Sequence, residues 1–134
     1  MRTIIEEYFG VHDNEIHSYH VDIRNRILQM DTQYYDKGKT RIVFTGVRAH
    51  RFENVTYCNI INRISQLSID CFIDENEAFL EDSLRYAFPI YAESISALKA
   101  YLEENELKIF DICSNLGLCG FVIAKDIVIE VVDT

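Results

Sequence analysis

Residues 17–47 read HSYHVDIRNRILQMDTQYYDKGKTRIVFTGV, and the reading of this stretch decides the fold. His17, Tyr19, Val21 and Ile23 alternate with Ser18, His20 and Asp22. A period of two sends successive side chains to opposite faces, the signature of a half-buried strand. Arg24-Asn25-Arg26 reads as a tight turn. Leu28, Met30, Thr32 and Tyr34 then alternate with Gln29, Asp31 and Gln33, which makes a second hairpin arm. Asp36-Lys37-Gly38-Lys39 is the next turn, with Gly38 free to take positive φ. Thr40 to Ala49 reads as a third strand, apolar or β-branched at Ile42, Val43, Phe44, Thr45 and Val47. Gly46 within it marks a bulge or a close backbone approach. Loops this short favour three successive antiparallel strands, a meander.

On the N-terminal side, Ile4, Ile5, Tyr8 and Phe9 recur at helical spacing. They predict a short helix over residues 2–9, ended by Gly10. On the C-terminal side, residues 57–73 are ambiguous. Tyr57, Ile60, Ile61 and Ile64 fit a helix, while β-branched content and the alternation Leu67, Ile69, Cys71, Ile73 favour a strand. Strand is the expectation. Asp74-Glu75-Asn76-Glu77 resembles a capping box with Asp74 as cap, opening a helix that stops before Pro89. Ser94 is a second N-cap candidate, and Ala97, Leu98, Tyr101 and Leu102 form the stripe of a helix over roughly 92–104. Leu107 to Cys113, Gly120 to Ala124 and Ile127 to Val132 return to strand, around a turn at Ser114-Asn115-Leu116-Gly117. The near-continuous apolar run of the last segment predicts burial on both faces. The expected fold is α+β: a mostly antiparallel sheet, with an N-terminal meander plus C-terminal strands, and two or three helices.

The 134 residues fit one domain, 1–134, large enough to bury a core without a disulfide or metal. One Pro and five Gly leave little room for a flexible linker. Acidic residues outnumber basic ones 22 to 13, and the net charge of −9 opposes binding to nucleic acid or to anionic membrane surfaces. It suits solubility or a basic protein partner. No uninterrupted apolar stretch reads as a signal peptide or a membrane span, so the expected location is cytoplasmic. Cys58, Cys71, Cys113 and Cys119 form no C-x-x-C pair. They read as small apolar residues, with a Cys113–Cys119 bridge across the turn as the minor alternative.

Chemistry-bearing residues are sparse. His12, His17 and His20 lie near Asp13, and these four are the weak candidates for a site. Imidazoles and a carboxylate are metal-ligand types, but on a strand His17 and His20 would point to opposite faces. Neither a metal nor any other cofactor is expected. Asp13 reads as a turn cap, and His12 beside it is an acid–base candidate without an accompanying nucleophile motif, so no catalytic residue is assigned. Gly117-Leu-Cys-Gly120 lacks the lysine and third glycine of phosphate loops and reads as a hairpin loop. Arg48, His50 and Arg51 beside Phe52 read as a solvated strand end. The acidic runs Glu6-Glu7, Asp74-Glu75-Glu77, Glu81-Asp82 and Glu103-Glu104-Glu106 read as solvated faces or as a surface for a basic partner. Of the eight Tyr, Tyr34, Tyr35, Tyr86, Tyr91 and Tyr101 cannot all lie deep in a core of this size, which leaves some for an interface.

Three segments carry a resemblance: His12-Asp13 leading into a strand, Phe44-Thr-Gly46-Val47, and Ser114-x-x-Gly117-x-x-Gly120-Phe-Val-Ile-Ala-Lys-Asp-Ile. Together they look like features of small bacterial proteins, some grouped with immunity proteins of polymorphic toxin systems. The resemblance implies a binding role and no catalytic residues. The leading expectation is therefore a non-catalytic protein-binding module, such as an immunity protein that neutralises a basic toxin. The alternatives are a metal-binding protein or enzyme using His12, Asp13, His17 and His20, and a homo-oligomeric structural protein.

Overall fold

A computed structural model describes the backbone of residues 4–132, with side chains from residue 10 onward. The meander is present as β2 (Glu15–Asp22), β3 (Ile27–Gln33) and β4 (Lys39–Thr45). β3 runs antiparallel to both neighbours, with Tyr19 opposite Met30 and Met30 opposite Ile42. In β3 the alternation of the sequence becomes an alternation of burial, with Leu28, Met30 and Thr32 inside. The β2–β3 turn is held by the Asp22 carboxylate, which accepts from the Asn25 backbone N–H at 3.0 Å and from its side-chain amide at 2.8 Å. In the next loop Tyr35, not Gly38, takes positive φ (50°).

β4 does not run on to Ala49 as the sequence suggests. The chain turns a corner at Gly46, φ 64°, where an added Cβ would overlap the Lys125 side chain. It then continues as β5 (Ala49–Glu53). The close approach expected at Gly46 is thus real, and its partner is the matching corner between β8 (Cys119–Ala124) and β9 (Asp126–Val132). β4 pairs with β9, and β5 pairs with β8. Two backbone bonds span the corner: Arg48 N–H to Ile123 C=O, 2.8 Å, and Lys125 N–H to Thr45 C=O, 2.9 Å. The run 39–53 therefore lies antiparallel beside the run 119–132, and the nine-stranded sheet closes on itself as a bent barrel. Closure gives most backbone donors and acceptors a partner and removes most of the open edge.

The remaining wall is β7 (Lys108–Leu116), β6 (Ile60–Leu67) and, along the far edge of β6, β1 (Ile4–Tyr8) followed by the start of β2. The helix expected over residues 2–9 is corrected: its described part, from Ile4, is this strand, with a 3-10 turn at Phe9–Val11. A segment this short cannot sustain a helix alone, and the open edge of β6 offers a ladder of hydrogen bonds instead. Over 57–73 the strand reading holds for β6 and fails beyond it. Ser68 accepts the Cys71 N–H at 3.1 Å and starts α1 (Ile69–Glu75), so the alternation at Ile69, Cys71 and Ile73 is overruled by a cap.

Three helices cover one outer face of the barrel. α1 is followed by α2 (Glu77–Ser83) and α3 (Ile95–Glu104). The capping box at Asp74 does not form, because Asp74 lies inside α1 and Asn76 is the joint between the two helices. The stop before Pro89 is observed: a 3-10 turn, Leu84–Tyr86, ends at Ala87 in the left-handed region. Ser94 caps α3 by accepting the Ala97 N–H at 3.1 Å, and Asn105 ends the helix.

Two cores result. Ile16, Leu28, Met30, Ile42, Phe44, Ile61, Phe110 and Val122 fill the barrel, with the Phe44 and Phe110 rings 5.5 Å apart. Leu67, Phe72, Leu80, Leu98, Leu102, Ile109 and Phe121 form the layer between barrel and helices. The strand buried on both faces is β8, whose Phe121, Val122, Ile123 and Ala124 are all buried. The expectation for the last strand is corrected: β9 crosses beyond the helices, and Val128 and Val131 stand in solvent. The protein is α+β with a mostly antiparallel sheet. Among the described residues no helix is long and apolar enough to cross a membrane.

Candidate functional site

Of the four residues singled out in the sequence, His12, Asp13 and His17 lie near the start of β2 and His20 toward its end. Asp13 sits in the left-handed region (φ 64°), a conformation Asp tolerates, and its backbone N–H donates to Ile61 C=O at 2.8 Å. It makes the turn through its backbone. Its carboxylate lies 3.4 Å from His12 Nε2, while His12 Nδ1 is 2.7 Å from Asn62 C=O. His17 leans away, 3.6 Å from Glu15 Oε1. The register of β2 slips between Ile16 and Ser18, which leaves His17 in a bulge. His20 then lies opposite Gln29, farther along the hairpin. The structure brings His12 together with Asp13, and His17 with Glu15, but not the two pairs with each other or with His20. Among the described residues no group of three or more His, Cys, Asp or Glu converges on a metal position.

The basic residues on β5 and at the corner before it are not a solvated strand end. Arg51 stacks over the Phe79 ring at 4.0 Å and pairs with Glu53, and Arg48 lies 5.8 Å from the centre of the Tyr101 ring. These contacts pin β5 to α2 and α3. His50 is half-buried with its ring 5.1 Å from Phe52, and desolvation pushes its pKa down, so the neutral ring dominates at pH 7. The four cysteines are free thiols, of which Cys71 is buried, so no Cys113–Cys119 bridge is present.

The most distinctive outer surface belongs to the helices. A groove of about 680 Å³ runs between α2 and the segment leading into α3. Its floor includes Leu84, Ala92 and Ile95; its rim carries Glu77, Glu81, Glu93 and a single cation, Arg85. Tyr91 lines the groove and is 85% exposed, and Tyr86, next to Arg85 in sequence, is 78% exposed. Water surrounds both rings, although Tyr offers a large apolar face with a polar tip. The groove exists because the left-handed Ala87 turns the chain after α2 and Ser94 restarts it as α3. Sequence reasoning named Tyr86 and Tyr91 among five tyrosines that cannot all be deep in the core, and Glu77 and Glu81 in two acidic runs, but did not place them together. The signal was the interleaving of Tyr and Glu on either side of Pro89.

On the opposite flank, Lys99 reaches Asp70 at 2.7 Å, which raises its pKa by hydrogen bonding and joins α3 to α1. This pair braces the helices and leaves the groove carboxylates free of it. Searches against protein-family models, curated proteins and solved structures return no match for the chain.

Proposed function

We propose that the chain is a non-catalytic protein-binding module that takes a basic partner at the groove between α2 and α3. One observation carries this reading: Tyr91, 85% exposed, lines an apolar-floored groove whose rim holds three glutamates against one arginine, and the exposed Tyr86 follows that arginine in sequence. Tyr is over-represented among residues that dominate binding energy, and its ring loses little entropy on docking. A carboxylate rim favours lysine- or arginine-bearing surfaces and speeds their approach, as does the net charge of −9. An immunity protein that neutralises a basic toxin, such as a nuclease, is the specific case this reading favours.

The test is association kinetics with a basic protein captured at low salt. The on-rate is expected to fall steeply as ionic strength rises. Tyr91→Ala is expected to weaken the complex at least tenfold, mostly through faster dissociation. An on-rate indifferent to salt, together with unchanged affinity in Tyr91→Ala and Tyr86→Ala, would sink the proposal.

A second reading rests on β9. This strand hydrogen-bonds to β4 alone among the described strands, and it exposes Val128 and Val131, the latter at 77%. A second copy adding its own β9 would cover that edge. A monomeric mass at high micromolar concentration rules this out.

A further inference from the structure

A cleft of about 460 Å³ opens at the other side of the same loop, between the β2–β3 turn, the β4–β5 corner and the Phe88–Pro89 pair. Its volume falls in the range of roughly 300–1,000 Å³ typical of small-molecule sites. Its walls are apolar: Val21, Ile27, Val47, Phe88 and the buried Pro89. Ile23 stands at the rim, 83% exposed, an apolar side chain with nothing over it.

Two arginines, Arg26 and Arg48, line this cleft in a chain that is otherwise strongly acidic. The fold brings the two residues close along the backbone. Ile27 pairs with Thr45 at the end of the β3–β4 ladder, and Val47 N–H continues it by donating to Arg26 C=O at 2.9 Å. Arg26 is therefore one member of this rung, and Arg48 is the residue after the other. Neither forms an ion pair with a carboxylate among the described residues. The one carboxylate in the lining, Asp22, is already committed to both Asn25 donors, and those bonds hold its pKa below the usual range. His50 adds a ring that burial keeps neutral. Arginine's planar fork matches a carboxylate with two parallel hydrogen bonds, whereas an apolar wall rewards a hydrocarbon or aromatic body.

We propose that this cleft binds a small monocarboxylic acid with an apolar body, its carboxylate held by Arg26 and Arg48 and its body laid along Val21, Val47 and Phe88. The site is separate from the tyrosine groove, and neither reading depends on the other.

Titration of the full chain with 4-phenylbutyrate, followed by amide NMR shifts, tests the assignment. The acid is expected to bind saturably, with shifts concentrated at residues 21–27, 47–50 and 88. 4-Phenylbutan-1-ol, which has the body without the charge, and acetate, which has the charge without the body, are each expected to bind at least tenfold more weakly. Arg26→Asn, which keeps a residue tolerant of the left-handed turn (φ 59°), and Arg48→Gln are each expected to weaken the acid about tenfold. If Arg48→Gln unfolds through loss of its Tyr101 contact, Arg26→Asn still decides. The proposal is overturned by the absence of saturable shifts, by an alcohol that binds as tightly as the acid, by acetate that does so, or by Arg26→Asn binding like the parent.

Discussion

The barrel interior and the helical layer are built in opposite ways. Barrel residues come from the whole chain, from Val11 to Ala124, and meet only when the run 39–53 pairs with the run 119–132. The helical layer draws mostly on residues 67–109, with Phe121 and Ile123 as its floor. The first is a set of distant pairings that pays its loop-closure entropy before any contact rewards it. The second is a local unit laid on a finished wall. The contrast implies a rigid barrel and a layer that opens more readily, and the proposed protein-binding groove lies on the more yielding side.

The sharpest way to break this contrast is to cut a large side chain from each core. Phe44→Ala removes a fully buried ring and is expected to cost about 3–5 kcal/mol in urea unfolding. It should lower amide-exchange protection in strands and helices alike. Leu98→Ala, also fully buried, is expected to cost about 2–5 kcal/mol but to release α1–α3 first, with β3 and β4 still protected. Equal loss of protection in β3 would show that the two regions are one cooperative unit.

A smaller effect tests how the barrel end is tied. Asn59 is buried; its side-chain oxygen accepts from Thr56 N–H at 3.0 Å and Leu118 N–H at 2.9 Å, and its amide donates to Thr56 C=O at 2.6 Å. Asn59→Ala leaves the Leu118 N–H buried without this partner and is expected to cost about 1–3 kcal/mol, read from urea midpoints. Ser94→Ala removes the cap of α3 and is expected to cost about 1 kcal/mol, with faster exchange confined to that helix. Faster exchange in β3 as well would blur the boundary between the regions.

The smallest expected effect lies at the seam between them. His50 on β5 titrates below 6.5 in the folded chain and near 6.5 in the unfolded one, because burial penalises the charged ring. The unfolded chain therefore takes up its proton first, and this residue's contribution to stability declines as pH falls through about 6.5. His50→Gln is expected to show a shallower loss of stability between pH 7.5 and 5.5. Identical slopes for parent and variant would remove His50 from the seam.

Legibility in the sequence follows how local each decision was. The central arm of the meander could be read because it is half-buried, so a period of two is written into residues 28–33; β2 follows the same pattern in sequence although its residues 17–20 are all exposed. α3 could be read because Ser94 and the stripe at Leu98 and Leu102 are contained in about three turns. The N-terminal strand could not: apolar spacing at Ile4, Ile5 and Tyr8 suits a helix, and only the vacant edge of β6, some sixty residues away, selects a strand. The His12, Asp13, His17 and His20 group looked compact along the chain, yet a left-handed Asp13 and a bulge at His17 turn its members apart. The cleft was hidden for the converse reason, since Arg26 and Arg48 are distant in sequence and brought close across a ladder.

The sequence by itself determined an acidic α+β chain, its central meander, the cap and stripe of α3 and a surplus of tyrosines. Those follow from local periodicity, capping chemistry and composition, which act within a few residues. Tertiary structure alone decided the closure of the sheet, the strand at Ile4–Tyr8, the double burial of β8 instead of β9, and the gathering of Glu77, Glu81, Tyr91 and Glu93 around one groove. Each depends on pairing or docking between distant segments, where a partner's hydrogen bonds and apolar surface outweigh the weak local preference of a short stretch.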